Sequence, residues 1–203
     1  MGRIAIVDYG VGNLHSIVNA LQYLGLETLV TGDAADLERS DAIILPGVGA
    51  FPDAAEKLSV TGLDLVLRTQ SAKKPILGIC LGMQLLFHGS DEVRPSKGLG
   101  LISGWVDRIQ TDRKLPHIGW NSLTFEHNSP LFKGLDDGVY VYFVHSFCGL
   151  VQHQEHVTAR TDHGVSIVAA VGRGNVFGCQ FHPEKSGEAG LSILRNFAKL
   201  MEG

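Results

Sequence analysis

Three times in its first eighty residues the chain runs through four apolar or small positions in a row: Ile4-Ala5-Ile6-Val7, Ala42-Ile43-Ile44-Leu45 and Ile76-Leu77-Gly78-Ile79. A strand with one wet face alternates apolar and polar residues, because successive side chains point to opposite sides. These runs do not alternate. Both of their faces must be covered, the condition of a parallel sheet buried between helices. The intervening segments supply the helices: Asn13 precedes Leu14, Ile17, Val18, Leu21 and Leu24 at helical spacing, and Gly25 stops the pattern. Helical patterns recur over about 53–58, 63–69 and 81–87, and 28–30 offers a further short strand. Strand and helix alternating in this way predict a doubly wound sheet with ligands at the carboxyl ends of its strands.

The second half changes character. Apolar runs at 101–105, 122–125, 139–144, 157–159, 167–171 and 176–181 are separated by Gly, Asp, Asn and Pro, which predicts antiparallel strands added to the same core. A closing helix over about 188–201 sets Leu191, Leu194, Ala198 and Met201 on one face. With no repeat, linker or low-complexity stretch, residues 1–203 are expected to form a single domain.

Composition closes off several classes of function. Hydrophobic residues at 44% and charged ones at 19% describe a packed chain, not a disordered one. A net charge of −4 with no basic block argues against nucleic acid as a partner. No apolar run approaches the roughly 18 residues of a membrane span, and Asp8 closes the first run too early for a signal peptide. The three cysteines, Cys80, Cys148 and Cys179, form no CxxC pair, so a reducing, cytoplasmic setting is expected, without disulfides, metal or cofactor.

The chemistry concentrates at two strand ends. Gly78-Ile79-Cys80-Leu81-Gly82 places a thiol between a buried strand and a helix, the sulfur counterpart of a G-x-S-x-G nucleophile elbow. The turn exposes Cys80 at a helix N-terminus and aims the Leu81 N–H at an oxyanion. A thiol nucleophile needs a base, and the base an orienter. His182-Pro183-Glu184, after the last strand, supplies both, with residues two apart in extended chain facing the same side. Pro46-Gly47-Val48-Gly49 stands at another strand end and can turn a backbone N–H toward the same crevice as a second oxyanion donor, while Gln84 shares a helix face with Cys80. Two weaker candidates fall away. Gly10-Val11-Gly12-Asn13-Leu14-His15 lacks the third glycine of a dinucleotide loop, and His153 with His156 reads as a solvated patch.

Taken together, Gly78-Ile79-Cys80-Leu81-Gly82-Met83-Gln84 and His182-Pro183-Glu184 resemble the class I, Cys-His-Glu glutamine amidotransferases. Within them, Tyr9 to Leu14, Pro46 to Phe51, Leu115 to Asn121, Phe143 to Ser146 and His182 to Gly187 are similar to the glutaminase subunits of imidazole glycerol phosphate synthases. The resemblance runs from about Ile4 to Leu200, with one departure at His88, where the family often has an acidic residue. It implies a flavodoxin-like, mostly parallel α/β sheet flanked by helices, cytoplasmic histidine biosynthesis, L-glutamine as substrate, and a separate (β/α)₈ cyclase subunit, the partner in a heterodimer. It implies Cys80 as nucleophile, His182 as base and acid, and Glu184 as orienter. Val48, Gly49 and Leu81 would form the oxyanion region, and Gly47, Gln84, Glu92, His145 and Ser146 would lie near glutamine. Asn13, Trp120, Tyr142 and Lys185 would face the partner. Two other readings stand beside it: a stand-alone cysteine hydrolase of γ-glutamyl peptides, and a scaffold built on an inactive fold of this kind.

Overall fold

The computed structural model of the chain describes residues 2–202. Along the first half run β1 (Arg3–Val7), α1 (Leu14–Tyr23), β2 (Glu27–Thr31), α2 (Ala34–Arg39), β3 (Ala42–Leu45), α3 (Phe51–Val60), α4 (Leu63–Ser71), β4 (Ile76–Ile79) and α5 (Leu81–Leu85). The four strands lie side by side as β2-β1-β3-β4, all parallel. Their unbroken apolar runs divide between two cores. Ile4, Ile6, Ile44 and Leu77 pack with Ile17 and Leu21 of α1 on one face, while Ala5, Val7, Ile43 and Leu45 pack with Phe51, Leu58, Leu63 and Leu67 of α3 and α4 on the other. Both faces of β1, β3 and β4 are therefore dry, which is why no polar residue interrupts their apolar runs, whereas the edge strand β2 keeps polar and exposed positions.

The second half adds β5 (Gly89–Ser90), β6 (Ser96–Lys97), β7 (Gly104–Arg108), β8 (His117–Ser122), β9 (Thr124–Phe125), β10 (Tyr140–His145), β11 (Phe147–Val151), β12 (Val157–Asp162), β13 (Ser166–Arg173), β14 (Val176–Cys179) and α6 (Gly187–Lys199). β14 returns to the middle of the molecule and lies parallel to β4, with Cys179 opposite Ile79. β13, β12 and β9 extend the sheet antiparallel, completing eight strands in the order β2-β1-β3-β4-β14-β13-β12-β9. α6 joins α1 over the first core through Ile193, Leu194 and Phe197. Two smaller sheets stand apart, β11-β7-β5-β6 and the ribbon of β8 with β10.

The mostly parallel α/β sheet with later antiparallel strands is the expected architecture, but several elements depart from their expected places. The strand expected at 101–105 begins at Gly104, and the one expected at 122–125 is split between the end of β8 and β9. α2 and β8 carry no apolar signature that would announce them, and β11 was not expected although its five residues are all apolar or small. In α2 only Leu37 is buried. In β8 the buried position is His117, while Ile118 and Trp120 are exposed, so the polarity of the strand is inverted.

Candidate functional site

The two chemical strand ends meet because β4 and β14 are neighbours. Between β4 and α5 the chain turns so sharply that Cys80 takes φ 55° and ψ −112°, a left-handed conformation that costs a non-glycine residue about 1–3 kcal/mol. Its surroundings enforce that turn. A Cβ at Gly82 would overlap the Leu45 carbonyl oxygen, and one at Gly78 would lie 2.6 Å from that of Gly82, so neither position accepts a side chain. The Cys80 N–H donates to the Cys179 carbonyl at 2.8 Å, tying the elbow to β14. Leu81 opens α5, and its N–H therefore has no acceptor within that helix.

On the neighbouring strand end, Pro183 opens a single 3₁₀ turn, Pro183–Lys185, instead of the extended chain expected there. That turn carries the Glu184 carboxylate back to the imidazole. His182 Nδ1 donates to Glu184 Oε1 at 2.7 Å, with both side chains almost fully buried. His182 Nε2 and Glu184 Oε2 are left without a partner. Burial by itself pulls the His182 pKa down, but the Cys80 sulfur and the Glu184 carboxylate together outweigh it and hold the imidazole up at about 9. The ring therefore carries protons on both nitrogens at neutral pH. Its backbone is fixed as well, by N–H donation to the Tyr142 carbonyl at 2.9 Å and acceptance from Ser186 Oγ at 2.6 Å.

Cys80 and His182 open into a cavity of about 370 Å³, which Val48, Gly49 and Leu81 also line. Gln84, Glu92, His145 and Ser146 complete much of the wall; Pro116 and Val144, which lie within the motifs already noted, and Phe147, which had no sequence signal, join them. Glu184 stands outside the lining, beside His182. Gly47 is also outside it: a Cβ there would come within 2.9 Å of the Gly82 nitrogen and of the Tyr9 hydroxyl, so its part is to let α5 approach the loop. Gly49 takes φ +100°.

The polar wall has a definite direction. Glu92 Oε2 accepts from the Phe51 N–H at 3.0 Å, which leaves its other oxygen for a ligand. Gln84 Nε2 donates to the Phe147 carbonyl and to Gln180 Oε1, both at 3.0 Å, so the Gln84 oxygen is the atom free to accept. His145 and His117 sit directly opposite each other on β10 and β8. His145 Nδ1 donates to the Phe147 carbonyl at 2.8 Å, and that assignment propagates: His117 Nδ1 donates to His145 Nε2 at 3.1 Å, and Asn121 Nδ2 donates to His117 Nε2 at 3.2 Å. Every ring nitrogen is spent. His145 therefore walls the cavity as a neutral ring and has no N–H to offer a ligand. Burial, followed by neighbouring histidines, lowers both pKa values to about 4, the Phe147 carbonyl opposing the shift at His145. Neither Gln180 nor His117 was anticipated; the signal for Gln180 was its position two residues before His182.

Of the residues expected at a partner face, Asn13 and Lys185 are exposed. Trp120 is 56% exposed and meets the half-buried Tyr142 edge-on at 6.2 Å between ring centroids, the two lying opposite each other on the ribbon. Asn13 holds the N-cap position of α1, but its side chain donates to Ser16 Oγ instead of capping the backbone. Among the described residues no group of three His, Cys, Asp or Glu side chains gathers to hold a metal, and no helix is long and apolar enough to cross a membrane.

A family model described as glutamine amidotransferase class-I matches residues 5–201. The chain is 50% identical over 200 residues to the imidazole glycerol phosphate synthase subunit HisH of Bacillus cereus (strain G9842), covering 98% of this chain and 95% of that protein. It is 48% identical over 200 residues to the protein of the same name from Caldanaerobacter subterraneus subsp. tengcongensis, 98% of each being covered. Among solved structures, PurLQS from Thermotoga maritima matches with a TM-score of 0.78 at 24% identity, over 98% of this chain and 99% of that one. A glutamine amidotransferase from Thermotoga maritima matches with a TM-score of 0.71 at 14% identity, over 98% and 97%. These two structures share the fold.

Proposed function

Since this chain belongs to the class-I glutamine amidotransferase family, we propose that it is the glutaminase subunit of an imidazole glycerol phosphate synthase, acting in the cytoplasm in histidine biosynthesis. The observation that carries the reading is one cavity holding Cys80 on its strained elbow beside a His182 oriented by Glu184. The Cys80 thiolate, its proton held by His182, attacks the side-chain amide carbon of L-glutamine, and the resulting oxyanion is met by the Leu81 N–H together with an N–H from Val48 or Gly49. His182 gives its Nε2 proton to the departing nitrogen, so ammonia leaves and a γ-glutamyl thioester remains on Cys80. The same nitrogen then takes a proton from water, whose oxygen adds to the thioester; collapse breaks the S–C bond, releases glutamate and restores the Cys80 thiolate beside the protonated His182. Glu184 holds the imidazole in the tautomer this cycle requires. Gln84 and Glu92 offer acceptor oxygens, suited to the amide and ammonium N–H groups of glutamine. Ser146 offers a hydroxyl.

Ammonia is a nucleophile only while unprotonated, so it must pass to its acceptor without entering bulk water. That requirement favours a docked (β/α)₈ cyclase subunit, with Asn13, Trp120, Tyr142 and Lys185 as the face that receives it in a heterodimer. The reading is tested by mixing the chain with such a cyclase and its nucleotide substrate, then measuring glutamate release and glutamine-dependent ring formation together. Stoichiometric formation of both is expected. Glutamate release with no ring formation, or preferential cleavage of γ-glutamyl peptides, would overturn it.

A further inference from the structure

Gln180 lies between Cys179, the last residue of β14, and Phe181, and its side chain is fully buried. A buried amide is costly unless each of its ends is bonded, and here the bonds also fix which end faces which way. The Phe147 backbone carbonyl can only accept, so the group of Gln84 that meets it at 3.0 Å is Nε2. That same nitrogen meets Gln180 at 3.0 Å, so Gln180 must present its oxygen there. Its own nitrogen is thereby turned the other way, to 3.8 Å from Cys80 Sγ. The orientation of the Gln180 amide is thus anchored, through Gln84, in a main-chain carbonyl that also accepts from His145.

We infer that Gln180 is a further catalytic residue of the glutaminase reaction: it donates an N–H to Cys80 Sγ and supports negative charge on the sulfur before attack. The inference rests on the reading of Cys80 as the nucleophile. An amide suits this task because it donates without titrating. It does not compete with His182 for a proton, and it places no second positive charge beside an imidazole that already carries one. Attack moves charge from sulfur to the carbonyl oxygen. The donor's effect therefore falls mainly on how readily the thiolate forms; the thiolate's own reactivity changes less and in the opposite sense, because a less basic sulfur is a weaker nucleophile.

That distinction gives the test. Alkylation of the full chain by iodoacetamide, followed across pH by mass spectrometry of the Cys80 peptide, reports both the midpoint and the alkaline plateau. Cys80 is the thiol to be labelled, because burial, aided by Asp107, pushes Cys148 up to about 11, and burial, aided by Glu184, pushes Cys179 higher still. Gln180→Leu should raise the midpoint by about one unit, as expected for losing a hydrogen bond to a charged group, with the alkaline plateau unchanged or up to about threefold higher. Gln180→Glu retains an acceptor for Gln84 but replaces the donor with a carboxylate oxygen, so its midpoint should rise further. Midpoints within about 0.3 unit of the parent in both variants, or a lowered plateau at an unchanged midpoint, would overturn the inference. If circular dichroism shows Gln180→Leu unfolded, Gln180→Glu decides alone. Labelling of the parent at a cysteine other than Cys80 would instead remove the nucleophile reading, and the role of Gln180 with it.

Discussion

At the end of β14, His182 keeps an extra proton; on the ribbon of β8 and β10, His117 and His145 refuse one. All three rings are buried, and the two regions are in contact through the His182 N–H and the Tyr142 carbonyl. What separates them is the company each keeps. His182 faces a carboxylate and a sulfur and retains an unpaired nitrogen. His117 and His145 face an amide, a main-chain carbonyl and each other, and retain none. Open valences mark the place where something must bind or react. Closed ones mark the support, whose task is to stay put while the neighbour changes its protonation.

The sharpest way to break this contrast is to remove the atom that the open side serves. Cys80→Ala is expected to abolish glutamine hydrolysis while leaving synthesis from added ammonium salts intact in the reconstituted pair, because the proposed function gives the thiol a part only in releasing ammonia. Loss of ammonia-dependent synthesis by a properly assembled variant would contradict that division. Glu184→Gln comes next. It removes the charge that keeps His182 protonated and oriented, and should lower kcat by about 10²–10⁴, the range of general acid–base catalysis, with little change in KM. Steady-state kinetics settle the point, and a kcat within about twofold of the parent would exclude Glu184 as orienter.

A somewhat smaller effect, about 10²–10³ in rate, is expected from docking the cyclase with its nucleotide substrate. The motive lies in the loop at the cavity edge. Val48 is β-branched and exposed, while Gly49 beside it already adopts φ +100°, so the peptide between them can turn either its N–H or its carbonyl toward the cavity. A partner that binds one orientation better shifts the population toward it. Equal glutaminase turnover with and without the partner would end this gating idea and leave the catalytic residues untouched.

The mildest perturbation is pH itself, and the two regions should answer it with opposite signs. His182 has a folded pKa near 9 against an ordinary 6.5, so its contribution to stability is complete below about 6.5 and fades as pH rises through 9. His117 and His145 have folded values near 4, so between about 4 and 6.5 the unfolded chain binds more protons. Their contribution is complete above 6.5 and is lost as pH falls toward 4. Urea unfolding at pH 7, 5.5 and 4.5 should show a falling midpoint. His117→Ala, which leaves His145 Nε2 and one Asn121 N–H unpaired, should cost about 1–3 kcal/mol at pH 7 and flatten the acid limb. An unchanged acid limb in that variant would show that the pair does not set it.

The open side was far more legible in the sequence than the closed one. Ile76–Ile79 announces a buried strand by its unbroken apolar character, and Gly78 and Gly82 announce the elbow because their contacts exclude any side chain. Cys80, His182 and Glu184 are chemically conspicuous residue types, and two parallel strands bring them together. β8 hides because its buried position is a histidine and its apolar residues face outward. α2 hides because one turn and a half with a single buried leucine leaves no period to detect, although the Asp33 side chain accepts from the Ala35 and Asp36 N–H groups as a cap should. The place of Gln180 two residues before His182 was a signal, but the direction of its amide could be seen only once Gln84 had a position, since nothing in a linear chain tells which end of an amide points where.

The backbone at Cys80 sets folded stability against possession of a thiol at one position. Glycine adopts that conformation freely, whereas cysteine holds it against a steric penalty for as long as the chain is folded. Replacing Cys80 by glycine would ease the turn and remove the sulfur in the same stroke, so here the change that loses the thiol is also the one that relaxes the main chain.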